Sequence, residues 1–280
     1  MLKKNWFKTG ALTLLAGVGV CLIIRGFYPE EQTPAPVTQE ISEEREDIEQ
    51  ADPYYIKNPE DMELLETYEE YNADVVGYIR IPGTVLDHPL MQTKDDEQYY
   101  LNHDLDKKVN SHGIPFLSKD SKIEKPGRNM VVYGHNIHKI SRDVFCDLAY
   151  YEDLDYYKEH PIIETISASG TRRWLIIAYF IVDNSDEDPF RYSDYTEFLA
   201  KKDFEEFMQQ VQERNWLDVP VDIEYGDTLI TLSSCSLELG GSGTNRMVVI
   251  GKLLRTDEDV EQIVADTTKA ESPLLPQKLQ

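Results

Sequence analysis

Between residues 58 and 255, short apolar runs are divided by clusters of Gly, Pro, Asn and Asp, and the runs follow two periods. Most are brief, rich in Val, Ile and Tyr and bounded by turn residues, which predicts strands. They cover Val75–Ile81, Gly113–Leu117, Asn129–Tyr133, Ile162–Ser167, Trp174–Val182, Val221–Ile223, Thr228–Ser233 and Met247–Leu254. Pro82-Gly83 marks a turn after the first. Three stretches have helical spacing instead. In Asn58–Asn72, Asn58 can cap, Pro59 suits the first turn, and Leu64, Leu65, Tyr68 and Asn72 share a side. Arg142–Tyr151 is the second. Lys202–Trp216 is the third, with Phe204, Phe207, Met208 and Val211 as its apolar face. About eight strands with few helices predict a mainly β fold, a barrel or closed sandwich, and not a βαβ array.

Both ends depart from this pattern. Thr9 to Ile24 carries no charge, Lys3, Lys4 and Lys8 precede it, and Arg25 closes it. A span needs about 20 apolar residues, and this segment reaches that if Trp6, Phe7 and Tyr28 sit at the interfaces while Lys8 and Arg25 snorkel. Residues 1–28 are therefore expected to be a cytoplasmic stub and membrane anchor, with everything after Tyr28 outside. The alternative is a cleaved signal peptide, for which Arg25-Gly26-Phe27-Tyr28 is a poor processing site. Residues 29–54 are acidic, contain Pro34 and Pro36, and read as a flexible, self-repelling linker. Residues 256–280, with Pro273-Leu274-Leu275-Pro276, read as a peripheral C-terminal tail. That leaves 55–255 as the folded domain. Of the 280 residues 41% are hydrophobic, enough for a real core, and the net charge of -24 with no basic patch argues against a nucleic-acid partner.

The chain has three cysteines. Cys21 lies in the apolar N-terminal segment and Cys146 within a short helical stretch, both readable as small hydrophobes. Cys235 ends a strand, between Ser234 and Ser236 and ahead of Gly240, Gly241 and Gly243. From composition alone it is a nucleophile, core filler, or the partner of Cys146 in a disulfide that an extracellular location permits. A thiol nucleophile needs a proton shuttle and a group to stabilise the developing oxyanion. Of six histidines, His88, His103, His112 and His160 lie in polar or turn surroundings that favour solvated or capping roles. His135 leaves the strand Val131-Val132-Tyr133, where functional side chains often project. His135 and His138 have the spacing of a metal pair, but no further ligand cluster is nearby, and no metal is expected. Arg246 opens the last long strand, either as the stabilising cation or as a surface ion-pair partner.

Three segments together, Asn129-Met130-Val131-Val132-Tyr133-Gly134-His135-Asn136, Thr231-Leu232-Ser233-Ser234-Cys235, and Arg246 followed by Val248 and Val249, resemble the sortase family of Gram-positive surface transpeptidases. Class B is the most similar subclass, since it carries a helix before the barrel and a long helix between the sixth and seventh strands, where Asn58–Asn72 and Lys202–Trp216 fall. Ser234 stands where the family usually has threonine, which keeps the hydroxyl. The resemblance implies an eight-stranded sortase β-barrel and a catalytic set of Cys235, His135 and Arg246, with Ser233 and Tyr192 as substrate-binding contacts and no cofactor. It implies that Cys235 stays free, that the substrate is a secreted protein with a C-terminal sorting signal, and that the acceptor is a cell-wall peptide or pilin amine. Two rivals remain: a cysteine hydrolase of cell-wall peptides, which usually has the Cys before the His, and a non-enzymatic surface scaffold.

Overall fold

The computed structural model describes residues 55–137, 141–187, 189–235 and 244–280, with backbone alone at Cys235. The expected anchor and linker in residues 1–54, together with Cys21, His138, Gly240, Gly241 and Gly243, lie outside the described residues. Among the described residues no helix is long and apolar enough to cross a membrane.

In chain order the strands are β1 (Val75–Arg80), β2 (Asp87–Met91), β3 (Phe116–Leu117), β4 (Asn129–Gly134), β5 (Ile162–Ser167), β6 (Gly170–Asp183), β7 (Leu217–Asp218), β8 (Leu229–Cys235), β9 (Asn245–Leu253) and β10 (Thr268–Lys269). Eight of them close a barrel in the order β1-β2-β3-β4-β8-β9-β6-β5, with β5 returning to β1. The helices are α1 (Pro59–Tyr71), α2 (Leu154–Glu159), α3 (Lys201–Arg214) and α4 (Val260–Asp266). Alternation along the strands fills the barrel with Ile79, Val132, Ile163, Trp174, Leu232 and Val249. The Trp174 indole N–H donates to the Thr165 hydroxyl at 2.9 Å, so this large buried ring leaves no donor unmet. Outside the barrel, Phe204, Phe207 and Val211 of α3 pack on Phe180 and Val182 of β6 as a second core. Each such burial contributes about 1.5–3 kcal/mol.

α1 begins as the sequence predicts, with the Asn58 side chain accepting from the Glu60 N–H at 3.0 Å. Its buried Asp61 takes a salt bridge from Arg80 at 2.8 Å and a hydrogen bond from the Thr171 hydroxyl at 2.6 Å. The chain just before α1 pairs with β6 through an Ile56–Thr171 bridge.

Several expectations are corrected. Val221–Ile223 forms no strand: Pro220 stands directly before it, and Val221 and Ile223 pack onto the second core instead. Arg142–Tyr151 is not a continuous helix but a loop leading into a 3-10 turn over Cys146–Glu152. β2 has no strand signature in the sequence, because Pro89 sits inside it. The tail at 256–280 is held against the domain: Val260, Ile263 and Val264 reach the second core, and β10 pairs with β7.

Candidate active site

β4 and β8 run parallel in register, with Gly134 opposite Ser234. The next position on one path is His135 and on the other Cys235. β9 lies on the far side of β8, antiparallel, and places Arg246 opposite Cys235. Strand neighbours are about 4.8 Å apart, so three positions distant in sequence meet at one rim of the barrel. A cavity of about 420 Å³ opens there, lined in part by His135, Tyr192, Ser233, Ser234 and Arg246. The Tyr192 and Ser233 hydroxyls are 2.6 Å apart, which ties the loop after β6 to β8. Arg246 is half-buried and donates from Nη1 to the Asn245 carbonyl at 2.9 Å.

The chain around His135 is fixed by contacts that a sequence scan passes over. Gly134 has no side chain where a Cβ would come within 2.8 Å of the Phe145 ring, so the ring closes against the end of β4. Phe145 N–H then donates to the His135 carbonyl at 3.0 Å. Before it, buried Val144 holds φ at +53°, a conformation costly for a β-branched residue. The Asp143 carboxylate lies 2.9 Å from His88 Nε2 and 3.8 Å from His112 Nδ1, so two histidines expected to be solvated converge on one carboxylate. The His88 contact holds the Asp143 carboxyl below its usual range. His135 is itself pushed below the ordinary imidazole value, first by burial and then by the charge of His112, against an opposing hydrogen bond with the Leu101 backbone. Its Nε2 is buried and has no hydrogen-bond partner among the described residues.

Cys146 lies apart from the cavity as a free, buried thiol. Ile137 N–H donates to its sulfur at 3.2 Å and the thiol donates to the Ser141 carbonyl at 3.2 Å. Burial pushes its pKa up, the reverse of what a nucleophile needs.

No family model matches the chain. It is 31% identical over 197 residues to sortase B of Listeria monocytogenes, spanning 70% of this chain and 76% of that protein. Over 191 residues it is 26% identical to sortase B of Staphylococcus aureus, spanning 68% and 75%. A solved Staphylococcus aureus sortase B–substrate complex superposes with a TM-score of 0.61 at 25% identity, covering 70% of this chain and 86% of that one. The chain belongs to the class B sortases.

Sortases are cysteine transpeptidases, and the eight-stranded barrel with a helix before it and α3 after β6 is the architecture the resemblance implied. In this sortase the cavity gathers four of the five expected residues, His135, Arg246, Ser233 and Tyr192, while Cys235 is described by its backbone on the same rim. Among the described residues no group of three or more side chains could hold a metal ion. Sequence pattern does not mark Gly134, Asp143, Phe145 and His112 as parts of the site. The Gly-His dipeptide at a strand exit was the one signal that hinted at the first.

Proposed function

We propose that the sortase cleaves a C-terminal sorting motif, Asn-Pro-x-Thr-like or a related Pro-x-Thr-Gly, after its threonine and transfers the protein to a surface amine. In this reading the Cys235 sulfur attacks the threonine carbonyl carbon. The carbon–nitrogen bond breaks, the departing amine takes a proton from His135, and a thioester remains. The incoming amine then attacks the thioester, gives its proton to His135, and releases the thiolate. Arg246 donates to the carbonyl oxygen as it becomes an oxyanion, which suits a guanidinium because it stays charged and offers several donors. Ser233 and Tyr192 line the substrate groove.

The observation that carries this reading is the strand register: His135, Cys235 and Arg246 occupy the same level on neighbouring chain paths beside one cavity. The solved Staphylococcus aureus relative carries a substrate complex, which supports a groove that takes a peptide. Residues 1–28 act as a membrane anchor and 29–54 as a spacer, so that the enzyme meets substrates emerging on the outer face. The acceptor is a cell-wall peptide or a pilin lysine.

The test is to incubate the purified chain with sorting-motif peptides and amine acceptors and to follow products by mass spectrometry. A ligated product and a Cys235 acyl adduct are expected. Hydrolysis without ligation, at every acceptor concentration, would point to the hydrolase alternative. Activity retained in Cys235→Ala would remove the nucleophile from the mechanism.

A further inference from the structure

The last residues of the chain return to the wall of the catalytic cavity. Leu274 N–H donates to the Glu213 carbonyl at the end of α3, and Pro276 is buried. Lys278 then reaches Asp183, the final residue of β6, at 2.5 Å, and Ser185 at 3.0 Å. A cavity of about 260 Å³ lies between this segment and the loop, flanked by Pro189 and Phe190 on the loop side.

Asp183 is a junction. It is 1% exposed, and across the ladder it faces Asn245, one position from the Val182–Arg246 pair. Its carboxylate accepts from the Ser185 N–H at 2.9 Å and from the Ser185 hydroxyl at 2.7 Å. The Thr244 hydroxyl also donates to it, and Asn184 N–H donates to the Thr244 carbonyl at 3.0 Å. One buried carboxylate thus joins the end of β6, the loop that supplies Asn184, Arg191 and Tyr192 to the active-site cavity, and the strand entry two residues before Arg246. Burial would push this carboxyl up, but Lys278 and the hydroxyl and amide donors hold it well below the usual range, so it stays charged and needs its cation.

We propose that residues 274–280 are a strap and that Lys278 is a positioning residue, setting the groove wall and the approach of β9 through Asp183. Lys278 touches neither substrate nor reacting atoms. The proposal rests on the transpeptidase reading for its kinetic consequence, but not for its structural one.

The experiment compares Lys278→Met, Lys278→Arg and the double variant Asp183→Asn/Lys278→Met with the wild type, using the full chain. Peptide ligation gives kcat and KM, and hydrogen exchange is followed at residues 184–187, 189–194 and 244–246. Lys278→Met is expected to raise KM about five-fold or more with kcat within about two-fold, the pattern of binding weakened equally in the ground state and the transition state. Exchange in those segments should rise about ten-fold while the other barrel strands stay protected. Lys278→Arg should restore both readouts. The double variant removes the buried charge along with its partner, so it should fold even if Lys278→Met does not, and should still show faster exchange. Unchanged exchange in both Met-bearing variants would overturn the strap. Raised exchange with wild-type KM would overturn its positioning role. A wild type that forms no acyl adduct with any peptide would instead defeat the functional reading, and the exchange data would still decide whether the strap holds the loop.

Discussion

His135 is the residue whose surroundings make the sharpest claim. Burial and the charge of His112 both depress its pKa, so removing the second should raise it. In His112→Gln the limb of the kcat/KM profile that reports His135 is expected to move to higher pH, measured by peptide ligation across a pH series; an unmoved limb would mean the two rings do not communicate. The same depression has a stability sign. The folded state binds a proton at His135 less readily than the unfolded chain does. Its contribution is therefore neutral above about pH 6.5 and becomes destabilising as pH falls below that, down to the folded pKa. Gly134→Ala should push the Phe145 ring away, disturb the bond it supports on the His135 carbonyl, and lower kcat. Arg246→Lys keeps a charge but loses the planar fork, and a loss of roughly 10²–10³ in kcat is expected if the guanidinium stabilises the oxyanion. These residues differ in how readable they were. His135 and Arg246 sit at strand ends flanked by Val and Tyr, a local pattern. Asp143 acts by meeting His88 from β2, more than fifty positions away, and no local pattern carries that.

At the scale of elements, β6 is the longest strand and pairs with both β5 and β9. Its ladder with β9 slips between Ile176 and Ala178. Buried Asn215, just past α3, meets the slip. Its carbonyl accepts from the Tyr179 N–H at 3.0 Å and its amide donates to the Ile177 carbonyl at 2.9 Å. Asn215→Ala should therefore destabilise the protein by about 1–3 kcal/mol, read as a lower urea midpoint, because it leaves buried backbone groups unmet. Phe207 of α3 packs at tilted ring angles against Phe190, Tyr195 and Phe198 below the groove loop. Phe207→Ala is expected to cost about 3–5 kcal/mol and to raise KM as the loop loses its floor. The helix was legible because Phe204, Phe207 and Val211 repeat at helical spacing. The slip was not, because nothing in Arg214-Asn215-Trp216 distinguishes a helix cap from a patch on a distant strand.

For the whole molecule, β6 measures the distance between the two ends of the barrel. Its first residues pair with Ile56, where the described chain begins, and its last residue is Asp183 at the catalytic rim. Thirteen residue steps at about 3.3 Å put these ends some 40 Å apart along the strand. If residues 1–28 anchor the chain, the linker sets how far the catalytic domain can reach from the membrane. Shortening the linker at 29–54 should then leave ligation of free peptides unchanged and slow only ligation of substrates held in the same membrane, compared in reconstituted vesicles. The barrel was legible as a class from its strand count. Its strand order was not, since the pairing of β4 with β8 spans a hundred residues and leaves no mark on either segment alone.

That long-range pairing has a consequence for how such a protein tolerates change. His135 and Cys235 leave adjacent parallel strands at one level, and everything from Asn136 to Thr228 is an excursion that departs at this rim and returns at the other end of β8, where Leu229 lies opposite Asn129. The distance between the two positions is fixed by hydrogen bonds between β4 and β8, not by the length of the excursion. Insertions or deletions in its exposed turns, such as the Ala168-Ser169 bend between β5 and β6, can therefore remodel the outer surface while the two reacting positions keep their spacing.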